Sequence, residues 1–434
     1  MHSYNGLFDK TISRENLELA FRKAAKGKRK RKDVQKVFKN LGKHITKLQY
    51  KLEKGIYYPD YHTPTIINES SSKKTREIVK PSFLYEQIVH HAVMQTFIPI
   101  ITPEFYEFTC GSIPKRGTSY GKKYMRKWID SYKGQKLYVM KADVHHFYPS
   151  IDREILKAKL ARKIRDKRYL RLLFIIVEYD RIGEVFHLLK KANVQLSEVQ
   201  TEILLTAMAF CDDESAIDVL DSLDLPIELH NKIGSAILSR VKGIPLGYYT
   251  SQWLGNFYFS DFDHEIKDLL QGCKFMRYVD DIVILHKNKK KLRKAMKAIA
   301  DFLLPRLELE IKHDYQIFRY EYKANGGYKG RFLDFLGYTF HTDRTGLRKA
   351  DLLTATRKAR HIGKLGHIDW YNASQMMSYM ALFTASDTYN FWTDNVKQNI
   401  KPRQLRHTIS KHDRKENYYE RLEISRGFAS GKAA

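Results

Sequence analysis

The chain has 434 residues, 43% of them hydrophobic, enough for two or three domains and a sizeable core. Its 77 Lys and Arg outweigh 49 Asp and Glu, giving a formal net charge of +28, and a balance this basic points to a polyanion, nucleic acid first. No stretch is long and apolar enough to span a membrane, and Met1–Asn5 has no signal-peptide pattern. The dispersed cysteines Cys110, Cys211 and Cys273 form no CxxC pair, so neither a zinc site nor a disulfide framework is expected, and the cytoplasm is the natural compartment. The 13% aromatic content suits nucleic acid, because Tyr and Phe stack on bases where Lys and Arg hold phosphates.

In chain order, residues 7–54 are predicted to be helical. Ser13 can cap a helix whose Leu17, Phe21 and Ala24 share one face. The basic run Lys26–Lys32 is a solvated loop or a grip on a phosphate backbone. After it, Val34, Val37, Phe38, Leu41, Ile45, Leu48 and Leu52 recur at helical spacing. Residues 55–82 turn to Tyr, Pro, Thr and Ile and read as short strands with an exposed tip near Ser70–Lys74. Arg76 and Lys80, where that β-loop ends, can bind a triphosphate. Helix returns over 83–98. The loop Gly111–Thr118, with Lys115 and Arg116, suits contacts with a nucleic-acid backbone.

Residues 137–144 have the pattern of a buried strand ending in an acid, Asp143, and a carboxylate there is costly without a partner. His145 and His146 follow. Adjacent histidines point apart and no third ligand has zinc spacing, so both are expected to face solvent. A helix begins at Asp152. Residues 178–232 are predicted to be helical with breaks at Gly183 and Pro226, and they gather Asp212, Asp213, Glu214, Asp218, Asp221 and Asp224. In so basic a chain, this segment reads as an insertion turned away from nucleic acid, or contacting a protein or a second copy. A merely decorative insertion is equally compatible. Gly243-Ile244-Pro245-Leu246-Gly247 is a loop, and the helix predicted after it, from Tyr248, offers free amides and a positive dipole.

Two β-branched and aromatic runs, Phe275–Val279 and Ile282–Leu285, then flank Asp280 and Asp281 at hairpin spacing. The turn lacks the favoured Asn-Gly or Asp-Gly, so turn chemistry did not select these residues. Two adjacent acids repel unless positive charge sits beside them, and a pair of Mg²⁺ ions would satisfy them. Taken alone, the tetrapeptide also fits a solvated acidic turn. Lys287–Lys297 is a basic helix, residues 332–340 a strand pair, and the chain from about 352 is helical, basic and aromatic, with a frayed tail at Ser430–Ala434.

Together these residues resemble a reverse transcriptase over nearly the whole chain. Tyr278-Val279-Asp280-Asp281 is similar to the family's YxDD box. Asp143 with Phe147–Asp152 is similar to the box of the first metal-binding aspartate, and Gly243–Gly247 with Thr250-Ser251-Gln252 to the box that positions template and incoming base. Phe335-Leu336-Gly337-Tyr338 is similar to the primer-grip strand pair. The wording is most like bacterial enzymes of the retron, diversity-generating and, above all, defence-associated kinds.

The resemblance implies an α+β right-hand fold. Its expected parts are a basic helical region over 1–54, fingers over 55–136, a palm over 137–177 and 243–351, an acidic helical insertion over 178–242, and a helical thumb over 352–434. The palm would be an antiparallel sheet backed by helices. It implies two Mg²⁺ ions, with Mn²⁺ as a substitute, on Asp143, Asp280, Asp281 and the Val144 carbonyl. It also implies Arg76 on the triphosphate, with Lys73, Lys74 and Lys80 as weaker candidates, Tyr148 as a steric gate against ribose, and Lys312 as a proton donor to pyrophosphate. Leu246, Gly247 and Gln252 would line the nucleotide site, and Lys115, Arg116, Gly337 and Tyr338 would contact nucleic acid. The expected partners are a structured non-coding RNA template, dNTPs and a DNA product. There are two departures. Leu246 stands where retroviral enzymes carry a glutamine, and residues 153–242 are longer than usual for the family. The implied function is RNA-directed DNA synthesis in bacterial antiviral defence. A retroelement enzyme and an RNA-binding scaffold with an unused site are the other readings.

Overall fold

The computed structural model describes residues 4–68, 75–239 and 242–415. Lys73, Lys74 and the tail Ser430–Ala434 lie outside the described residues. The amino-terminal stripes become four helices, α1 (Leu7–Ile12), α2 (Arg14–Ala25), α3 (Lys32–Lys39) and α4 (Leu41–Glu53). The Ser13 hydroxyl accepts from the Asn16 amide and starts α2, whose Leu17, Phe21 and Ala24 are buried. The basic run is not simply solvated: Lys28 donates to Gln87 at 2.7 Å and Arg29 is buried.

Next come the antiparallel hairpin β1 (Thr65–Asn68) and β2 (Thr75–Ile78), then α5 (Ile88–Ile101), which opens on a single π turn at Phe83–Gln87. α5 is apolar all round and forms the axis of the first core. After it lie β3 (Thr109–Cys110), α6 (Thr118–Ser131), β4 (Tyr138–Asp143) and the short α7 (Phe147–Ser150).

Seven helices follow: α8 (Arg153–Lys163), α9 (Lys167–Val177), α10 (Tyr179–Lys191), α11 (Glu198–Phe210), α12 (Asp213–Asp221), α13 (Ile227–Leu238) and α14 (Tyr249–Tyr258). Of the two predicted breaks, Pro226 immediately precedes α13, but Gly183 lies inside α10. The reason is close packing: a Cβ at Gly183 would sit 2.9 Å from the Asp60 carbonyl oxygen. α10 is the bed on which the chain entering the β1–β2 hairpin lies, with Tyr58 stacked on Phe186 at 4.0 Å. Arg171 of α9 donates to the Gly55 and Glu202 carbonyls, both at 2.9 Å. The insertion is therefore continuous with the first core, not a module apart from it.

The remaining elements are α15 (Ser260–Leu269), β5 (Lys274–Tyr278), β6 (Asp281–His286), α16 (Lys289–Leu307), β7 (Gln316–Arg319), the hairpin β8 (Tyr322–Ala324) and β9 (Gly327–Lys329), and a small sheet of β10 (Leu333–Phe335), β11 (Tyr338–Phe340) and β12 (Thr345–Leu347). α17 (Lys349–Gly363), α18 (Trp370–Thr384) and α19 (Tyr389–Asn395) follow, and residues 402–415 are helical.

The central sheet has the order β3-β5-β6-β4-β7 and is antiparallel, except that β3 pairs parallel with β5. Strand alternation divides two cores. Met140, Ala142, Phe275, Ile282 and Ile284 face the first core, while Val139, Met276, Val283 and Leu285 face the second, with α6, the β10–β12 sheet and the carboxy-terminal helices. By the same parity, Asp143 and Asp281 belong to the second face and Arg277 to the first. Among the described residues, no helix is long and apolar enough to cross a membrane.

The Gly243–Gly247 loop is clamped between α7 and the end of β2. Gly243 donates to Ile151, Ile244 to Tyr148, and Val79 to the Leu246 carbonyl at 2.8 Å. Gly247 has φ +110°, and a Cβ there would meet the Val79 carbonyl oxygen at 2.1 Å. Gly247→Ala should therefore destabilise the protein by about 1–3 kcal/mol, from backbone strain plus collision. A thermal melt against wild type checks this.

Candidate active site

The β4–β6 register sets Asp143 opposite Asp281 at the end of both strands. The β5–β6 register pairs Tyr278 with Asp281, so the two-residue turn is Val279-Asp280 and not Asp280-Asp281. Asp281 is the first strand residue, because it pairs on both sides. Val279 sits at φ +56°, a region hostile to a β-branched side chain and one that such turns usually give to glycine. The Asp280 carbonyl accepts from the Val144 amide at 3.3 Å, and its carboxyl lies near enough to Asp143 and Asp281 to feel their charges. Three acids from two segments thus meet at one sheet end.

Burial, with the adjacent charges of Asp143 and Asp281, pushes Asp280 up to about 7. Burial also raises Asp281, although Lys141, Arg348 and Lys312 pull the other way. Lys312 contacts the Asp143 carboxylate, and its backbone amide donates to the Asp143 carbonyl at 2.8 Å. Burial works to lower the Lys312 ammonium, but the hydrogen bond and charge of Asp143 win and leave it raised.

Among the described residues, no three His, Cys, Asp or Glu side chains stand ready to surround a metal ion, and Asp143 is engaged by Lys312 instead. The donor chemistry still fits a divalent cation. The carboxylates are hard oxygen donors, Asp280 is pushed up to about 7 by burial and then by the charges of Asp143 and Asp281, and a divalent cation would relieve both. Lys312 takes the place of such a charge at Asp143.

On the nucleotide side, Tyr148 is half-buried between Phe147, at a ring separation of 5.0 Å, and Gly255, where a Cβ would approach its ring to 3.1 Å. Burial, then the charge of Asp280, pushes the phenol up to about 12, and the Arg76 charge reaches it from β2. Tyr148, Asp280 and Arg76 are therefore gathered. Arg76, Lys80 and Gln252 are exposed, Leu246 is half-buried, and Gly247 lies against Val79. His145 and His146 are exposed.

On the nucleic-acid side the sequence expectations fare unevenly. Lys115 is exposed, but the Arg116 guanidinium donates to the Phe105 and Tyr106 carbonyls at 3.3 and 3.0 Å and braces its own loop. Tyr338 is 1% exposed, because strand alternation turns its ring into the second core. The turn of this hairpin is Leu336-Gly337, both residues of which have positive φ.

Several site residues escaped the sequence reading. Lys141, two residues before Asp143 on the same face, donates to the Asp334 carbonyl at 3.0 Å, and Arg348 pairs with the Asp334 carboxylate at 2.6 Å. Together they tie the small sheet to Asp281. Beneath the turn, Arg277 is buried against Asp263. Its signal was a lone arginine within an apolar strand.

Behind the Gly243–Gly247 loop, Glu86 is fully buried and accepts from Tyr248 at 2.7 Å, the Ser82 amide at 2.6 Å and His62 at 2.5 Å. Burial opposes the charged imidazole, but Glu86 outweighs it and raises His62 above its usual 6.5. A raised histidine contributes stability that is fully present below pH 6.5 and is lost as pH rises through the folded value. His62→Gln should flatten the fall of Tm with pH above about 6.5, as followed by thermal melts across pH 5–9.

A palm sheet ending in converging acids defines a polymerase of the right-hand class. The sequence matches the family model for reverse transcriptase (RNA-dependent DNA polymerase) over residues 67–340, and the chain belongs to that family. No curated protein matches it. Among solved structures it is similar to apo telomerase from Candida tropicalis, with TM-score 0.41 and 14% identity, covering 81% of this chain and 58% of that one. The Candida tropicalis telomerase in complex with the TWJ fragment of telomeric RNA gives TM-score 0.41 and 14% identity over 91% of this chain and 59% of that one. The Candida albicans counterpart with that fragment gives 0.36 and 13% over 82% and 58%. This chain thus spans less than two thirds of the telomerase chains it matches.

Proposed function

We propose that the protein is an RNA-directed DNA polymerase that copies a structured non-coding RNA into DNA. The observation that carries the reading is the meeting of Asp143, Asp280 and Asp281 at one sheet end. Two Mg²⁺ ions, or Mn²⁺, held by these carboxylates and the Val144 carbonyl would activate a primer 3′-hydroxyl and neutralise the leaving pyrophosphate.

This chain's residues supply the rest. Arg76 of β2 and Lys80 just after it bind the triphosphate. The Tyr148 ring, fixed against Phe147, occupies the space a ribose 2′-hydroxyl needs. Leu246, Gly247 and Gln252 bound the base-pair site, and leucine at 246 offers contact without a hydrogen bond. Lys312 holds a proton beside Asp143 and can pass it to pyrophosphate. Lys115 and the Leu336-Gly337 turn hold the nucleic-acid strands. The net charge of +28 supports an RNA partner. The likeness of the boxes to defence-associated enzymes supports a role in bacterial antiviral defence.

Purified protein with its co-purified RNA should incorporate dNTPs in Mg²⁺, and Asp280→Ala or Asp281→Ala should abolish incorporation. Unimpaired synthesis by both variants would remove the proposed site. Incorporation lost on chelation and restored by Mn²⁺ checks the metal requirement. Tyr148→Ala should lower discrimination against ribonucleotides by about tenfold or more, read as the ratio of kcat/KM for dNTP and rNTP. An unchanged ratio would place the gate elsewhere.

A further inference from the structure

The Arg277–Asp263 pair lies behind the acidic turn, both side chains 0% exposed. The guanidinium meets the carboxylate through two bonds, Nε to Oδ1 at 2.7 Å and Nη2 to Oδ2 at 2.5 Å. Its remaining nitrogen, Nη1, donates to the Val279 carbonyl at 2.6 Å and to Asn256 Oδ1 at 3.3 Å. Thr109 donates to Asp263 at 2.7 Å, and Asn256 donates to the Gly111 carbonyl at 3.0 Å. The guanidinium carbon also stands 4.5 Å from the centre of the Phe259 ring.

A buried ion pair is weak evidence for stability, since apolar side chains of like volume often serve as well. Its geometry therefore needs another account. Val279 carries an unfavourable backbone angle, and its polar backbone atoms are both held. The amide donates to the Cys110 carbonyl at 3.2 Å, and the carbonyl accepts from Arg277. The side chain presses on Gly111, where a Cβ would meet Val279 Cγ2 at 2.9 Å. The next carbonyl, that of Asp280, is held by Val144. Release of the Val279 carbonyl would let the turn relax toward an ordinary angle and swing Asp280 away from Asp143.

We propose that Arg277, locked by Asp263 and Asn256, is a positioning residue that holds Val279 in its strained conformation and thereby sets the Asp280 carboxylate for divalent-cation binding. The proposal rests on the polymerase reading for its biological purpose. Its test does not need synthesis.

Arg277→Lys keeps a charge beside Asp263 but removes the planar fork that reaches Val279. Arg277→Met/Asp263→Leu removes the pair without leaving a buried charge, and stands in should the lysine variant fail to fold. Thermal melts identify the folded variants, and Mn²⁺ binding is followed by electron paramagnetic resonance. A folded variant should bind Mn²⁺ about tenfold or more weakly than wild type. Adding Val279→Gly should restore most of that affinity, because glycine adopts the positive angle without strain. Wild-type affinity in a folded variant overturns the proposal. So does a loss that Val279→Gly fails to recover, or a wild-type protein that takes up no Mn²⁺. A wild-type protein that binds Mn²⁺ yet makes no DNA would instead sink the polymerase reading and leave the positioning result standing on its own.

Discussion

Three carboxylates brought together repel one another, and the sheet end must hold them there against that repulsion. Hydrogen-bond register does it for Asp143 and Asp281, which cannot separate without breaking the β4–β6 ladder. Asp280 has no ladder to hold it and depends on the turn. Burial together with the crowding pushes Asp280 up to about 7, and Lys312 is drawn onto Asp143. Acids placed this way are relieved by a proton, by Lys312 or by an added cation.

The rest of the molecule arranges access to that point. The β1–β2 hairpin brings Arg76 from one side, the Gly243–Gly247 loop closes a second, and the β10–β12 sheet reaches in through Asp334, Lys141 and Arg348. Each of these is tied to its neighbour by backbone hydrogen bonds or ion pairs.

Much of this was legible in the residues. Asp143 and Asp280-Asp281 announced themselves because a carboxylate at the end of an apolar strand has no cheap structural explanation. Ser13 capped the helix its pattern indicated, and the apolar runs read as strands became β4, β5 and β6. The misreadings share one cause, which is that local chemistry was overridden from far along the chain. Gly183 looked like a helix break, but it serves the approach of Asp60. Val279 is a poor turn residue, held where it is by Cys110 and Arg277. Tyr338 matched a contact motif, yet its parity in β11 buries it. Arg116 is basic and beside the site, yet it is spent on two carbonyls of its own loop.

The packing of α10 against the approach to the hairpin has a further consequence. Because Asp60 lies against the bare face of Gly183 and Tyr58 stacks on Phe186, the acidic segment is not a cassette that can be excised and its ends rejoined. Its inner face must change in step with the residues that lead into the β1–β2 hairpin. A descendant that swapped the segment wholesale would have to rebuild the path into the β1–β2 hairpin as well.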